Sequence, residues 1–364
     1  MPETTRGLLR HTTKGLHILV DPARPSISVA TVGDALIKQY GLVEGAALTG
    51  SVQAGRTGPE LATVDSVCGL KPAVFSKRKL FSDLTAIDPF ERFDLSIEGD
   101  ISMRVVDLVA PVAKGTRGLI VAPPKAGKTV LLEKIARAVR AESSKARIIA
   151  LLIDERPEEV TYFRRTVSAE VFASSSDQKI QEHIALSELM LANIRTELEC
   201  GHDVVVLLDS MTRLVRAFNL RGSANGRTLS GGIDAGALDI PRRFFGLARK
   251  IEKGGSITMI ASMLVDTGSR MDQLIYEEFK GTGNSEIVLS RQLAEARIFP
   301  ALNLAASSTR KAERFYTPEI YQKLTLLRRA MAARKPVESM QWLLRLLNKY
   351  PTNESLINSI RAEG

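Results

Sequence analysis

Residues 118–129 join an apolar strand directly to a Gly-Lys-Thr turn and the first residues of a helix. The apolar run Gly118–Val121 is followed by a loop, and an apolar period of helical spacing begins at Val130. The loop reads Ala122, Pro123, Pro124, Lys125, Ala126, Gly127, Lys128 and Thr129. A strand, a glycine-containing loop and a helix in this order form a phosphate-binding loop, because backbone N–H groups and the helix N-terminus converge on an anion.

The residue types in this loop suit the phosphates of a nucleotide. Lys128 is placed to neutralise the β- and γ-phosphates, and the Thr129 hydroxyl is placed to ligate Mg²⁺. Ala122 stands where the general motif has glycine, whereas the Gly-Lys-Thr end is complete. The loop therefore predicts a site for a nucleoside triphosphate and Mg²⁺.

Two further apolar runs end in carboxylates that suit hydrolysis. The run Asp203–Leu208 leads into Asp209, which we expect to orient a water on Mg²⁺. The run Arg147–Ile153 leads to Glu155, whose carboxylate is placed to polarise an attacking water. Carboxylates at strand ends also cap the following helix, so the residues alone support a cap at Glu155 equally well. Together the three elements predict hydrolysis of a nucleoside triphosphate.

The pattern of apolar residues divides the chain into three parts. Residues 1–75 contain short alternating runs broken by Gly, Pro and Asp, which predicts a small β-barrel. Residues 76–100 have no long apolar period and are interpreted as a connector. Residues 101–364 alternate apolar strands with helical segments and end in helices, which predicts an α/β domain around a mostly parallel sheet. The predicted strands are Leu16–Val20, Ser26–Val32, Ala46–Val52 and Leu61–Val64 in the barrel, and Gly118–Val121, Arg147–Ile153, Asp203–Leu208 and Ser256–Met263 in the large domain.

The composition excludes several classes of protein. Of 364 residues, 44% are apolar and 25% are charged, which is typical of a globular chain. No apolar run reaches the roughly 18–20 residues of a membrane-spanning helix and no signal-peptide core is present, so we expect a cytoplasmic protein without a membrane partner. Cys68 and Cys200 lie far apart and the four histidines show no ligand spacing, which argues against a disulfide framework or a zinc site. The net charge of +9 permits a polyanionic partner.

Several longer blocks carry a family resemblance. The loop Gly118–Thr129, with its alanine and double proline, resembles the phosphate-binding loop of the transcription termination factor Rho family. Further blocks resemble that family, in its order, over about residues 76–364: Leu151–Thr161, Leu207–Asn219, Ser230–Leu238, Asp266–Asn284 and Ser307–Glu313. The resemblance implies a recombinase-type (RecA-like) ATPase core behind an OB-like, cold-shock-like barrel. It also implies a homo-hexameric ring with ATP held between neighbouring chains.

The resemblance further implies which residues contact the nucleotide. The residues that contact the nucleotide phosphates belong to the loop and its flanks: Ala122, Pro123, Pro124, Lys125, Ala126, Gly127, Lys128, Thr129 and Val130. The residues implied for Mg²⁺ are Thr129 and Asp209. Phe299 matches an aromatic residue that stacks on adenine. The catalytic residues besides Lys128 are Glu155 as the base that activates water, Arg156 and Arg213 at the γ-phosphate, and Arg310. Arg310 resembles an arginine finger that reaches the neighbouring subunit's site, whereas its residue type alone predicts only a solvated surface arginine.

Two polar loops correspond to the family's pore loops, which implies that RNA is the pore ligand. They are Leu220–Gly232 and Asp266–Arg270, and each carries an arginine where the family has lysine, at Arg227 and Arg270. A guanidinium keeps the charge and adds bidentate hydrogen bonding, so the grip on RNA is expected to differ. The RNA-binding residues so implied are Arg227, Thr228, Ser230, Gly231, Arg270 and Lys280. From composition alone the first loop is equally well a solvent loop.

The barrel departs most from the family. Single-stranded nucleic acid is held on such barrels by aromatic stacking, worth roughly 1–3 kcal/mol per base. Residues 1–75 contain only Tyr40 and Phe75 as aromatics, and the family's early phenylalanines are replaced within Gly15–Leu19. Near the family's barrel tyrosine this chain reads Val29–Val32. We expect the primary RNA site of the barrel to be weakened or absent.

Four functions are compatible with these observations. The first is an ATP-dependent RNA translocase or helicase that ends transcription, with RNA polymerase as a further candidate partner. The second is a diverged paralogue whose ring serves a protein partner or a regulatory role, which the aromatic-poor barrel favours. A catalytic subunit of a rotary ATP synthase shares the core, but the blocks at Ser230–Asp234 and Asp266–Arg270 argue against it. A DNA strand-exchange protein has no supporting block.

Overall fold

The N-terminal part folds into a small closed barrel. The computed structural model describes residues 4–12, 15–56, 58–222 and 232–361. The N-terminal elements are β1 (Thr4–His11), β2 (His17–Asp21), β3 (Arg24–Val32), α1 (Asp34–Tyr40), β4 (Ala47–Gly55), β5 (Gly58–Leu61), β6 (Ser66–Val67) and α2 (Pro72–Phe75). The strand order β1-β2-β3-β5-β4 closes because β1 also pairs with β4, and β6 adds to β4. A five-stranded barrel therefore surrounds its own apolar core, as predicted.

Two features of the barrel differ from the prediction. The predicted strand Leu61–Val64 is wrong, because β5 ends at Leu61. Leu61 and Val64 are both buried in the barrel core, and residues three apart on one strand would point to opposite faces. The strand β1 was not predicted, and its alternation is interrupted by Gly7. A Cβ atom there would lie 2.6 Å from the carbonyl oxygen of Val20, so the close crossing of β1 and β2 requires glycine.

The larger part is a doubly wound α/β domain. Its strands are β7 (Ala86–Ile87), β8 (Arg117–Ala122), β9 (Arg147–Glu155), β10 (Glu170–Ser175), β11 (Asp203–Asp209), β12 (Arg249–Ile251), β13 (Ser256–Leu264), β14 (Ser285–Val288) and β15 (Ser308–Thr309). Its helices are α3 (Ile101–Val109), α4 (Lys128–Glu142), α5 (Pro157–Thr166), α6 (Ile180–Glu199), α7 (Met211–Gly222), α8 (Asp239–Gly246), α9 (Arg270–Lys280), α10 (Arg291–Glu295), α11 (Pro318–Ala332), α12 (Pro336–Lys349) and α13 (Asn353–Ser359). All the apolar runs named above form strands here.

The central sheet is parallel and covered on both faces. Its order is β10-β9-β11-β13-β8-β14-β15, and only the last pair is antiparallel along this path. One apolar cluster packs α3, α4 and the C-terminal helices on one face, and a second packs α6, α7, α8 and α9 on the other. Because parallel strands end at the same edge, the residues that follow β8, β9 and β11 meet there.

The segment predicted as a connector contributes to the sheet. Within it, β7 pairs antiparallel with β12, and β12 pairs with β13. Arg78 joins the barrel to the large domain, since its Nε donates to Glu199 Oε2 at 2.9 Å and its Nη1 donates to Gly41 O at 3.4 Å. The Asn193 side chain donates to Gly45 O at 2.9 Å. None of the helices in the described ranges is both long and apolar enough to cross a membrane.

Candidate nucleotide site

The phosphate-binding loop leaves the centre of the sheet and turns into α4. Strand β8 ends at Ala122, the loop residues Lys125 and Gly127 have φ angles of 64° and 92°, and α4 begins at Lys128. Positive φ at Gly127 is the conformation that glycine adopts without strain. The loop therefore presents the amide-rich N-terminus of a 15-residue helix at the carboxyl edge of the sheet.

Lys128 lies between two carboxylates from neighbouring strands. Its Nζ donates a hydrogen bond to Asp209 Oδ1 and lies 3.3 Å from Glu155 Oε1. Burial works to lower the pKa of Lys128, but the charges of Asp209 and Glu155 outweigh it and hold the pKa above its usual value. The ammonium is therefore charged, and it connects the loop with the ends of β9 and β11.

Glu155 is 2% exposed at the end of β9. Burial and the neighbouring Asp209 charge raise its pKa to about 7, while Lys128 and Arg213 oppose that rise. Arg213 Nε lies 3.1 Å from Glu155 Oε1, and Arg213 Nη1 donates to Asp154 Oδ2 at 3.2 Å. A carboxylate whose pKa lies near neutrality is suited to accept a proton from water.

The alternative role of Glu155 as a helix cap is wrong. The N-cap of α5 is Arg156, and the Glu155 carboxylate contacts Lys128 and Arg213. Arg156 itself is exposed beside the site. Of the predicted catalytic residues, Lys128, Glu155 and Arg213 are thus in direct contact, and Arg156 adjoins them in the chain.

The oxygen atoms near Lys128 fit a hydrated Mg²⁺ ion. Asp209 is fully buried; its Oδ1 also accepts a hydrogen bond from Ser262 Oγ at 2.7 Å, whereas Oδ2 has no hydrogen-bond partner among the described residues. Thr129 lies in the first turn of α4, half-buried. Within the described ranges no group of three or more His, Cys, Asp or Glu could hold a metal alone. An ion held by one or two protein oxygens together with phosphates and water is the usual Mg²⁺ arrangement.

A cavity of about 260 Å³ opens beside the start of α4. Phe299 is 50% exposed at its rim and lies 3.9 Å from the position of a Cβ atom on Gly127. Val130 is also exposed at the rim, and Leu131 and Leu302 line the wall. The cavity is mostly apolar and lies next to the phosphate loop, which suits a base attached to the bound phosphates.

Arg310 lies near the end of β8 that is opposite the phosphate loop. Its backbone N–H donates to Asn284 O at 2.7 Å, and Asn284 N–H donates to Arg117 O at 2.9 Å. Arg117 is the first residue of β8, and the phosphate loop follows the last. Six residues of strand span about 16 Å, so Arg310 lies well away from the loop of its own chain. Its side chain is exposed.

The described flanks of the first polar loop lie on the same side of the large domain as the second polar loop. Residues Arg227, Thr228, Ser230 and Gly231 are outside the described residues. The two flanks of the first loop are held together by Asn219. Its side-chain amide donates to Gly232 O at 3.1 Å, and its Oδ1 accepts from the Asp234 N–H at 2.6 Å. The second loop is anchored by Asp272, which pairs with Arg216 at 2.6 Å.

Arg270 and Lys280 are exposed at opposite ends of α9. A helix of 11 residues is about 16 Å long, so the two cations lie well apart. Only Arg270 adjoins the second loop.

Three residues around the site were not predicted. Ser262 positions Asp209, and it is visible in the sequence as a polar residue inside the apolar strand β13. Asp154, with φ of 57°, holds Arg213. His183 hydrogen-bonds Ser174 at 2.6 Å and approaches Asp154 at 4.0 Å, but no spacing in the sequence relates it to the loop.

Sequence comparisons identify the relatives of the chain. The nucleotide-binding domain of the ATP synthase alpha/beta family matches residues 102–309. The transcription termination factor Rho of Aquifex aeolicus is 45% identical, over 98% of this chain and 84% of that protein. Those of Streptomyces coelicolor and Haemophilus influenzae are 46% and 44% identical over 96% and 91% of this chain. The chain belongs to the Rho family of transcription termination factors.

Solved structures agree with this Rho-family fold. An ATPase from the type III secretion system of pathogenic bacteria has a TM-score of 0.61 and 21% identity, over 85% of this chain and 93% of its own. The ATP synthase subunit NeqB from Nanoarcheaum equitans has a TM-score of 0.57 and 22% identity, over 71% and 63%. These structures and the family match confirm the RecA-like fold. The ATPase assignment is confirmed by the family match and by membership of the Rho family. None of the relatives named above supports the alternative of a diverged paralogue whose ring serves a protein partner or a regulatory role.

Proposed function

We propose that this chain is a subunit of a ring-shaped RNA translocase that hydrolyses ATP with Mg²⁺ and ends transcription. As a member of the Rho family it is an ATP-dependent transcription termination factor. The homo-hexameric ring, the passage of RNA through its pore and a cytoplasmic location extend that assignment. RNA polymerase is the proposed further partner, since it carries the transcript that is to be released.

The main support for a ring-shaped assembly is the distance between Arg310 and the phosphate loop of the same chain. The loop, Glu155 and Asp209 gather at one edge of the sheet, whereas Arg310 is exposed at the other end of β8. A cation that far away cannot reach the γ-phosphate within one chain. Placed against the next subunit, Arg310 completes the neighbour's site and stabilises charge that develops on the phosphates.

In this proposal each residue of the site has a separate role in ATP binding or hydrolysis. Lys128 and the α4 N-terminus bind the phosphates, and Phe299 packs on the adenine. Glu155 holds the attacking water and accepts its proton at a carboxylate oxygen, while Arg213 keeps that carboxylate in place. Thr129 and Asp209 would hold Mg²⁺, which would neutralise charge on the phosphates.

The pore contact to RNA rests on the position of the two loops. A Cβ atom added to Gly232, the described end of the first loop, would lie 4.0 Å from Met271, so this end and the second loop both flank the start of α9. Arg270 is exposed there and offers a cation to a phosphate backbone. Lys280, at the far end of α9, is proposed as a weaker, peripheral contact.

We propose further that the primary RNA site on the barrel is weak. Phe75 is fully buried beneath the Arg78 guanidinium, 3.8 Å from the ring centroid, and Tyr40 packs against the barrel core. Leu16 is 58% exposed in the segment that replaces the family's phenylalanines. With Phe75 buried and Tyr40 packed against the core, the described part of the barrel has no fully exposed Phe, Tyr or Trp ring on which bases could stack, so we expect it to lack much of the stacking energy of such sites. We expect full-length protein without ATP to bind oligo-C only in the non-specific range, about 10⁻⁴–10⁻⁶ M at physiological salt. Tighter, C-selective binding to the barrel would contradict this.

ATP turnover with and without single-stranded RNA, measured alongside the native mass, tests the function. We expect a hexamer whose phosphate release is stimulated by RNA and abolished in Lys128→Ala. Lys145→Ala, which changes an exposed lysine after α4, is the matched control and should retain activity. A strictly monomeric protein that releases no phosphate with any nucleotide would exclude the proposal.

A further inference from the structure

The two cysteines of the chain meet at the junction of the barrel and the large domain. Cys68 follows β6 and is 4% exposed within the barrel core. Cys200 follows the last residue of α6, is half-buried, and packs against the same apolar cluster. The two thiols lie within hydrogen-bonding reach of each other, and both are free. Their separation in the sequence gave no sign of this contact.

Backbone hydrogen bonds fix Cys68 to the barrel and Cys200 to the end of α6. The Cys68 N–H donates to Ala47 O at 2.7 Å, which fixes it to β4. The Cys200 N–H donates to Thr196 O at 3.0 Å, which continues α6. The two sides are joined by the buried pair of Arg78 and Glu199, whose side chains are 6% and 4% exposed. The approach of the thiols is therefore a property of the docked interface.

The surroundings make the two sulfurs unequal. The hydrogen bond from Cys68 lowers the pKa of the Cys200 thiol, with further lowering by His202 and Arg78 against the opposing effects of burial and Glu197. The same hydrogen bond and burial raise the pKa of Cys68. Cys200, the less buried residue, thus also has the lowered thiol pKa and is the better nucleophile, whereas the buried Cys68 keeps its proton.

We infer that Cys68 and Cys200 form a peroxide-reactive dithiol that closes into a disulfide between the barrel and the ATPase domain. The Cys200 thiolate attacks one oxygen of a hydroperoxide, the O–O bond breaks, and the released oxygen leaves as water or alcohol after taking up a proton. Cys200 is thereby oxidised by two electrons to a sulfenic acid. The Cys68 sulfur then attacks the Cys200 sulfur, the S–O bond breaks, and hydroxide leaves as water with the Cys68 proton.

The disulfide would act as a covalent tether at this junction. It would fix the barrel to the end of α6 until a thiol reductant restores both cysteines. The site shares no residue with the nucleotide site, so it goes beyond the proposed ATPase function and can be tested without it.

The test treats full-length protein with hydrogen peroxide, blocks remaining thiols with N-ethylmaleimide and measures intact and peptide masses. We expect one chain that has lost two hydrogens, takes up no maleimide, yields a Cys68–Cys200 peptide and is restored by dithiothreitol. The inactive variant Lys128→Ala should form the same bridge. A disulfide between separate chains, two thiols that remain open to maleimide, or Cys200 sulfinic acid with Cys68 intact would each overturn the inference.

Two single variants test the order of the steps. In Cys68→Ser, Cys200 should stop at a sulfenic acid that dimedone traps. In Cys200→Ser, Cys68 should not react with dimedone under the same conditions. Trapping at Cys68 instead would overturn the assignment of Cys200 as the attacking sulfur. Because the bridge itself is measured in the wild-type chain, poor folding of either variant leaves the main result decisive.

Discussion

The ammonium of Lys128 and the carboxylate of Glu155 lie 3.3 Å apart, although Lys128 begins α4, Glu155 ends β9, and the two are expected to have different roles in the reaction. Asp209 binds the same ammonium. The residue expected to bind phosphate is therefore already paired with the residue expected to accept a proton from water. A phosphate that binds at the α4 N-terminus competes for Lys128 and changes the charge that Glu155 experiences.

Replacing Lys128 with alanine should abolish turnover and weaken the fold. We expect ATP hydrolysis to fall by at least about 10²–10³-fold, because a cation at the developing charge is lost. The buried Asp209 and Glu155 carboxylates would lose their shared counter-ion, at a cost of about 3 kcal/mol in unfolding free energy near pH 8. Phosphate release and urea denaturation measure the two effects. Unchanged stability with lost turnover would show that Arg213 alone neutralises the pair.

The rate of ATP hydrolysis should depend on the ionisation of Glu155. Its pKa of about 7 in the nucleotide-free protein means that the reactive carboxylate form is a minority at lower pH. We expect kcat/KM for ATP to fall about tenfold per pH unit below about pH 7 and to level off above it. A profile that is flat from pH 6 to 8 would argue against Glu155 as the base. Glu158→Gln, at an exposed position in the first turn of α5, should leave the profile unchanged.

The same carboxyl group should make Glu155→Gln a stabilising change at alkaline pH. The folded-state pKa is raised above its ordinary 4.5, so the stabilisation it gives is present below pH 4.5 and is lost as pH rises through about 7. Glutamine resembles the protonated form at every pH. We expect the variant to exceed the wild type by about 3 kcal/mol above pH 8 and to match it near pH 4. Denaturant titrations at both pH values check this, and a destabilised variant at pH 8 would contradict it.

Arg310→Ala should lower turnover without affecting the binding of ATP. The residue lies at the far end of β8 from its own phosphate loop, so its loss leaves that loop intact. We expect kcat to fall by about 10³-fold or more if Arg310 serves the neighbouring site as the proposed arginine finger. Nucleotide binding by fluorescence and steady-state turnover separate the two quantities. Lys311→Ala removes the adjacent cation, which pairs with Asp88 at 2.9 Å, and should be nearly neutral for turnover.

Phe299→Ala should weaken ATP binding with little effect on the chemical step. The ring lies beside the cavity at the start of α4, away from Glu155 and Asp209. Loss of one stacked base is worth about 1–3 kcal/mol, so KM for ATP should rise about tenfold while kcat is maintained. Phe90 is equally exposed at 50%, and Phe90→Ala is the matched control. A fall in kcat alone would show that the adenine lies elsewhere.

The sequence predicts the long parallel strands of the large domain better than the short elements of the chain. Buried parallel strands have long apolar runs, so β8, β9, β11 and β13 are recognised, and the residues that follow them then meet by geometry. Short elements escape, because α1 has only seven residues and β7 has two. The predicted strand Leu61–Val64 begins where β5 ends. The apolar residues Leu61 and Val64 suggest a strand, but after Leu61 the chain only crosses the barrel core.

Contacts between distant segments are the part that could not be predicted. Nothing in the local pattern places Cys68 against Cys200, or Ser262 against Asp209. Both contacts follow from how complete elements pack. The resemblance to the Rho family could assign a role to Arg310, but only the hydrogen bonds through Asn284 show where that residue lies relative to β8.

Strand β8 has the phosphate loop after its last residue and, through Asn284, the backbone of Arg310 beside its first residue. Strand β8 is hydrogen-bonded to β13 on one side and to β14 on the other, and close-packed protein interiors have low compressibility and transmit strain. In the proposed ring, a movement of the phosphate loop would therefore be passed along β8 to Arg310 and so to the nucleotide site of the neighbouring subunit.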